Sequence, residues 1–453
     1  MTAGLSRAKP GRDPVLILGA GIAGLGAARG LSSRGHEIVV IDAASEVGGT
    51  HRSRVIGPYT FDVGSIFYED DALVFRIFPG LRDLCPVVRR VERRLTPEAG
   101  LVDFPLGAAD LAAPGRLHRL AAQLSLGWSK LTRHGDGSLE GACVARLGRH
   151  FYEDSGLKSY LERINHVPPA EVDQEFYAHR LGFLQGCPRQ PAMPGAFWPR
   201  RHRPGPRSLR VRPSEGFEAL FDPARRMLDA AGVRIELGAE IRRIRKIGDL
   251  FEVETASRSF RGCAVVNAMP LAACHKAVFG TESGLQSLDL MTLFVSAKRL
   301  PAAMGNVVQN FHPQGRWNRA TIYSRIYPGL GAGREFLSVE VTLPPETPPD
   351  PAAAYDDFAR HVCGLGLGIE GLRLEGHDLV PQAYPFTPLG QAQAAAPVLE
   401  ALEAFGIVSV GRQGRFEYLP TATGVLRRVN EELALASARL QLRSSNPPRA
   451  VQA

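Results

Sequence analysis

No uncharged apolar stretch in this 453-residue chain reaches the roughly 18 residues that a membrane-spanning helix needs. The longest candidate, Val15 to Ala28, is interrupted by glycines and stops at Arg29. A secretory signal is missing as well, because the first apolar stretch runs into a glycine-rich turn where a cleavage site would be expected. That points to a cytoplasmic protein. Cysteine is sparse: Cys85, Cys143, Cys187, Cys263, Cys274 and Cys363 stand far apart with no CxxC pair. Their spacing argues against a disulfide framework or a zinc site and for reduced, mostly buried thiols. The twelve histidines show no ligand spacing, no HExxH occurs, and no GxSxG elbow marks a serine nucleophile. No metal is expected. With 44% hydrophobic and 22% charged residues, disorder and fibrous structure are excluded.

The length is about three times the common domain size of about 150 residues, so two or three structural units are expected. A net charge of +8, mostly from arginine, suits anionic ligands or reflects the base composition of the coding genome. The basic residues are dispersed and lack aromatic partners in sequence, which disfavours nucleic acid. The densest basic run, Arg200, Arg201, Arg203, Arg207, Arg210 and Arg212, reads as a solvated loop in preference to a membrane or polyanion contact.

Residues 1–13 have the composition of a loose leader. Val15 to Leu18 is a continuous apolar run of strand length, as in a buried parallel strand. Gly19-Ala20-Gly21-Ile22-Ala23-Gly24 follows at once, Leu25 to Ser33 reads as a helix, and Glu37 to Ile41 forms a second strand that ends at Asp42. Further on, helices are expected at 108–131, 139–165, 216–231, 351–363 and 424–442. Strands are expected at 233–237, 241–247, 251–255, 264–267 and 407–410, with a strand-rich region over 288–345.

A GxGxxG pattern alone is a weak signal. Here it follows a buried strand, opens a helix and is trailed by an acidic residue at the end of the next strand, which together mark a dinucleotide site. Gly19 allows the tight turn, Gly21 lets a pyrophosphate approach the backbone, and Gly24 lets helix and strand pack closely. The helix N-terminus, at Ile22 and Ala23, offers free N–H groups and a positive dipole end to phosphates. Asp42 is placed to accept from an adenosine ribose. A second match, Gly366-x-Gly368-x-x-Gly371, follows a helix and lacks the acidic strand end, so it reads as a helix stop and gives no second nucleotide site.

The continuation Glu46-Val47-Gly48-Gly49-Thr50-His51-Arg52-Ser53 resembles the flavoprotein fingerprint of the amine oxidase and protoporphyrinogen oxidase superfamily. Phe61-Asp62-Val63-Gly64, Asp103-Phe104-Pro105-Leu106, the segment from Tyr160 to Arg180, and Val265 to Pro270 are similar to later motifs of the same superfamily. Tyr384-Pro385 and Gly411-Arg412-Gln413-Gly414-Arg415-Phe416-Glu417-Tyr418 most resemble UDP-galactopyranose mutase and its mutase-like relatives. The resemblance implies an α/β protein: a Rossmann-like FAD-binding domain of the glutathione-reductase type, with an inserted α+β substrate domain of mixed sheet and helices. The implied divisions are FAD-binding parts at 1–100, 211–285 and 396–453, the last with a C-terminal helix. The substrate domain would take 101–210, mainly helical, and 286–395, mainly sheet.

FAD is the cofactor the resemblance implies, held by Gly19, Gly21, Ile22, Ala23, Gly24, Asp42, Gly48, Gly49, Arg52, Gly64, Gly411 and Arg412, and by a helix starting over Thr421 to Val425. Arg180 and Arg325 match positions that hold a substrate diphosphate in the mutases, and Tyr384 and Tyr418 match tyrosines lining the same cleft. Two departures count against mutase activity: Gly64-Ser65-Ile66-Phe67-Tyr68 replaces a histidine-rich segment, and Leu419-Pro420-Thr421 replaces a Met-Asp pair. The favoured expectation is an FAD-dependent oxidoreductase that moves hydride from a small molecule to flavin N5. A redox-neutral mutase acting on a nucleotide sugar in cell-surface polysaccharide synthesis is the alternative, and a catalytically inert flavin-binding protein is the third. The partner is a small-molecule substrate, a nucleotide sugar or another anion. Substrate identity, electron acceptor, covalent attachment of FAD and oligomeric state are left open.

Overall fold

The computed structural model describes residues 13–64, 66–106, 136–174, 209–391 and 393–437. Its centre is a five-stranded sheet built from strands far apart in the chain. The spatial order is Arg234–Glu236, Ile38–Ile41, Val15–Leu18, Ala264–Asn267 and Ile407–Ser409, all parallel. The three middle strands are buried at every residue, as expected for a parallel sheet covered on both faces. Alternate side chains enter different cores. Val15 and Ile17 join Ala23, Leu25 and Leu426 on one face, while Leu16 and Leu18 join Phe251, Leu271 and Leu402 on the other. Helices Ile22–Ser32 and Ala422–Leu435 pack together over the first face. Helices Leu271–Phe279 and Ala395–Phe405, with a three-stranded antiparallel sheet over residues 241–262, cover the second.

A seven-stranded mixed sheet forms a second layer. Its order is Arg373–Pro385, Ser287–Ala297, Glu335–Leu343, Arg319–Ile322, Val307–Asn310, Glu92–Leu95 and Leu101–Asp103. Strand Glu92–Leu95 lies parallel to Val307–Asn310, and the remaining pairs are antiparallel. Helix Pro351–Gly364 packs on this sheet around Trp317 and Phe358. Together the layers give the expected α/β class with an additional mixed sheet and helices.

Several expectations change in detail. The single helical stretch over 139–165 is three helices, Leu139–Leu147, Arg149–Asp154 and Leu157–Asn165, separated at Gly148 and at Ser155-Gly156. The closing helix starts two residues earlier than expected, with the Thr421 side chain accepting from the Gly424 N–H as N-cap. Its expected end at 442 lies outside the described residues, as do the helix expected at 108–131 and nearly all of the leader. The Gly366–Gly371 segment does follow a helix and opens none.

The arginine run departs most. Arg210 and Arg212 are not solvated: Arg210 bonds to Asp70 and to the Cys85 carbonyl, and Arg212 is 0% exposed, as is its partner Asp62. The strand Leu209–Val211 pairs with Phe67–Glu69 and Val87–Val88, which carries these side chains inward. Arg212 donates to Asp62, to the Thr60 carbonyl and to the Pro213 and Ser214 carbonyls.

Candidate functional site

Residues that could meet a dinucleotide lie at the C-terminal ends of the parallel strands, where open α/β sheets bind ligands. The Val15–Leu18 strand leads into the glycine turn and helix Ile22–Ser32. An ideal Cβ built on Gly24 would lie 1.8 Å from the Gly19 carbonyl oxygen, so only glycine lets helix and turn come this close. Ile22 and Ala23 are buried at the helix start, and its N-cap, Gly21, supplies no side-chain acceptor. The first-turn N–H groups are therefore open to an anion.

Gly48 and Gly49 close over this turn. Gly48 forms an isolated parallel bridge with Gly21 and donates to the Ala20 carbonyl at 2.9 Å. A Cβ on Gly49 would lie 3.1 Å from the Gly21 Cα, a spacing that leaves two bare backbones face to face. Asp42 follows the Ile38–Ile41 strand and accepts from the Ala20 N–H at 2.5 Å and the Ala44 N–H at 2.7 Å. One backbone bond per carboxylate oxygen leaves further lone pairs for a hydroxyl.

His51, two residues past the doublet, stacks with Tyr68 at 6.1 Å and meets Phe217 edge-on at 5.4 Å. Burial and the nearby Arg412 charge hold its pKa down to about 4, so the ring is neutral. Its Nδ1 is buried and has no hydrogen-bond partner among the described residues. In the sequence His51 appears only as part of the Glu46–Ser53 segment, with no role of its own, and nothing local signals its contacts with Phe217 and Phe221.

The second arm of the site follows strand Ile407–Ser409. Gly411–Gly414 forms a short turn of helix against helix Ile22–Ser32. The Arg412 guanidinium lies 4.8 Å from the Tyr384 ring centre and 5.8 Å from that of Tyr418. The two ring centres are 5.9 Å apart, so the three groups form one cluster in which the guanidinium sits nearer Tyr384. Arg412 donates to the Ala383 carbonyl through Nη2, while its Nε is buried without a partner among the described residues. Beyond it, Thr421 caps the closing helix, and Val425 is buried one turn in.

The side chains of two expected site residues are committed to other partners. The Arg52 guanidinium is committed to Asp378, at 2.5 Å, and to the Leu379 carbonyl at 3.0 Å; Arg54 reaches the same carboxylate at 2.8 Å. Arg325 is spent on Glu335 and on the carbonyls of Leu300, Pro301 and Gly305, an internal tie with no donor group aimed at the Tyr384–Tyr418 pair. Gly64 is half-buried at the bend after strand Tyr59–Asp62. Arg180 lies outside the described residues. Among the described residues, no group of three or more metal-ligating side chains occurs, and no helix is long and apolar enough to cross a membrane.

Residues 17–78 match the family model described as an NAD(P)-binding Rossmann-like domain. An L-amino-acid oxidase from Siganus canaliculatus is 40% identical over 67 residues, which is 14% of this chain and only 12% of that relative. Over the whole chain, a solved reduced UDP-galactopyranose mutase superposes with a TM-score of 0.75 at 16% identity, covering 96% of this chain and 97% of the other. A putrescine oxidase follows at 0.60 and 13% identity, with 94% and 99% covered. A fatty acid isomerase from P. acnes also gives 0.60, at 12% identity with 95% and 99% covered. The chain has the fold of these solved structures, and the reduced UDP-galactopyranose mutase superposes over nearly its full length. Oxidase, isomerase and mutase stand side by side among these structures, so the fold by itself does not select a reaction.

Proposed function

We propose that the protein binds FAD and uses it as an oxidoreductase acting on a small molecule. The observation that carries this is a pair of unpartnered buried nitrogens, His51 Nδ1 and Arg412 Nε. They lie on residues close enough for one to shift the pKa of the other, beside a glycine cradle whose helix N-terminus has no side-chain cap. Buried donors and acceptors left unpaired cost about 1–3 kcal/mol each, and a bound flavin dinucleotide would satisfy them. Gly19, Gly21, Gly24, Gly48 and Gly49 would admit its diphosphate, Asp42 its ribose, and His51 and Arg412 its ring end.

Bound FAD would supply a two-electron acceptor for hydride from a substrate C–H bond, with dioxygen or another small oxidant as the final acceptor. The protein's share is electrostatic and positional. Arg412 holds a fixed positive charge, suited to negative charge that develops on reduction. Neutral His51 offers hydrogen bonding without adding a second charge. No side-chain base is required when the substrate brings its own amine lone pair.

The isomerase reading draws support from the assembled Arg412, Tyr384 and Tyr418, and it loses Arg325, whose donors are committed elsewhere. The test is a visible absorbance spectrum of the purified protein, then reduction by dithionite with and without a UDP-sugar. Flavin bands, indifference to the UDP-sugar and reoxidation by oxygen within seconds are expected. A protein with no flavin bands that takes up no added FAD overturns the proposal. A UDP-sugar that perturbs only the reduced spectrum transfers it to the isomerase.

A further inference from the structure

A cavity of about 630 Å³ lies among helix Leu157–Asn165, the loop over 313–316 and the end of strand Glu335–Leu343. None of its lining residues belongs to the glycine turn, the Glu46–Ser53 segment or the Arg412 cluster. Its volume falls within the roughly 300–1,000 Å³ of small-molecule sites. Val167, Pro168, Pro313, Val341, Leu343 and Pro344 give it apolar walls, suited to a ring or a short hydrocarbon chain. We infer that this cavity is a second small-molecule site, separate from the dinucleotide site, and that it takes an apolar carboxylate gripped by Arg316. The inference goes beyond the proposed function and does not rest on it.

The charges around the cavity select an anion. Arg163 donates to the carbonyls of Gly315 and Asn310 at 2.6 Å and to that of His312. It forms no ion pair among the described residues, and burial pushes its pKa down to about 10, so it is charged at neutral pH without a counter-ion. The Arg316 side chain is exposed and makes no hydrogen bond or ion pair among the described residues; only its backbone N–H is engaged, by Asp357 at 2.6 Å. Glu162, reached by Lys158 at 4.0 Å, and Asp357 are the acids that face these cations. Arg163, Arg316 and Lys158 outnumber them. His166, bonded through Nε2 to the Thr342 carbonyl at 2.9 Å, adds no negative charge. A helix C-terminus ordinarily repels anions through its free carbonyls, but this one is closed. The Leu161 carbonyl accepts from Asn165 Nδ2 at 2.9 Å and that of Glu162 from the His166 N–H at 2.7 Å. The Thr342 hydroxyl lies 3.3 Å from the carbonyls of Arg163 and Ile164. The Arg316 guanidinium is thus the unspent cation, and its planar fork matches the two oxygens of a carboxylate.

The experiment compares a carboxylate with a neutral molecule of the same size. Isothermal titration calorimetry measures naphthoate and naphthamide binding to the full chain, with and without added FAD. Wild type is expected to bind naphthoate at one site per chain, at least about tenfold more tightly than the amide, as one charge-assisted pair allows. Added FAD is expected to leave that affinity unchanged. Arg316→Glu is expected to remove the preference for the carboxylate, and Ser159→Trp, which fills the cavity, to lose both ligands. Wild type that binds naphthoate no better than the amide, or binds neither, overturns the inference. Competition by FAD does the same, because it places naphthoate in the dinucleotide site. Naphthoate affinity equal to wild type in either variant also overturns it. Should Ser159→Trp fail to fold by circular dichroism, Arg316→Glu, at an exposed position, decides. Flavin uptake is read separately by absorbance: its failure overturns the proposed function and leaves the naphthoate comparison standing.

Discussion

Arg212 and Asp62 show how a charge becomes structural. Both are fully buried, and burial alone would lower the Arg212 pKa; the Asp62 charge and its hydrogen bonds raise it instead. Removing one partner of such a pair leaves the other charged and dry, which costs about 3–5 kcal/mol. Arg212→Met is expected to lose stability on that scale in urea denaturation, and Arg212→Lys to recover only part, because lysine cannot reproduce the guanidinium fork. The composition of residues 200–212 pointed to solvent because the partner stands 150 positions away, a separation that no local pattern encodes. The Arg325 commitment to Glu335 and three carbonyls was hidden for the same reason. A second buried chain runs from Trp317 through His361 to His312, at 2.9 and 3.0 Å. The indole N–H needs an acceptor, so His361 Nδ1 must be unprotonated. Burial, then the neighbouring His312 and Arg163, hold the His361 pKa down from 6.5 to about 4. A lowered histidine pKa means stability that is present above 6.5 and lost as pH falls toward 4. Urea midpoints of wild type are expected to fall across that window, and those of His361→Gln to fall less steeply.

Among the elements, strand, glycine turn, helix and second strand over 15–41 were legible in the sequence because every determinant is local: apolar runs, a spaced glycine set, an acidic strand end. The same cannot be said of helices 139–165, where three short pieces replace one. Their apolar periodicity continues through Gly148 and Gly156, but both glycines take positive φ and break the helix there, with packing around Phe311 and Tyr160 holding the turned pieces. The Arg412–Tyr384–Tyr418 cluster was legible only through family resemblance, since it joins two elements of different layers. Gly24 has the least room for a side chain of the described glycines, against the Gly19 carbonyl. Gly24→Ala is expected to force the helix off the strand, lowering both the melting temperature and the flavin content of purified protein. Preserved flavin binding in that variant, measured by absorbance, would contradict the role given to this turn.

At the scale of the whole molecule, the candidate site draws on the turn after Leu18, the loop after Ile41 and the segment after Ser409, all held by one sheet. A ligand bound there stabilises the sheet as a unit. At one hundred times its dissociation constant, a ligand specific to the folded state adds about 2.7 kcal/mol. Added FAD is therefore expected to raise the melting temperature of apoprotein by several degrees in calorimetry; no shift would argue against a native-state flavin site. The strand order also has a consequence for how the protein is made. The partner on the outer side of Ala264–Asn267 is Ile407–Ser409, which leaves the ribosome only after the whole stretch between the two strands has been made. Until then a finished, apolar parallel strand stands at an open border, the kind of edge that recruits wrong neighbours. Translation speed across the stretch between those two strands, and chaperones that shield nascent chains, thus govern how much of this protein reaches its native form.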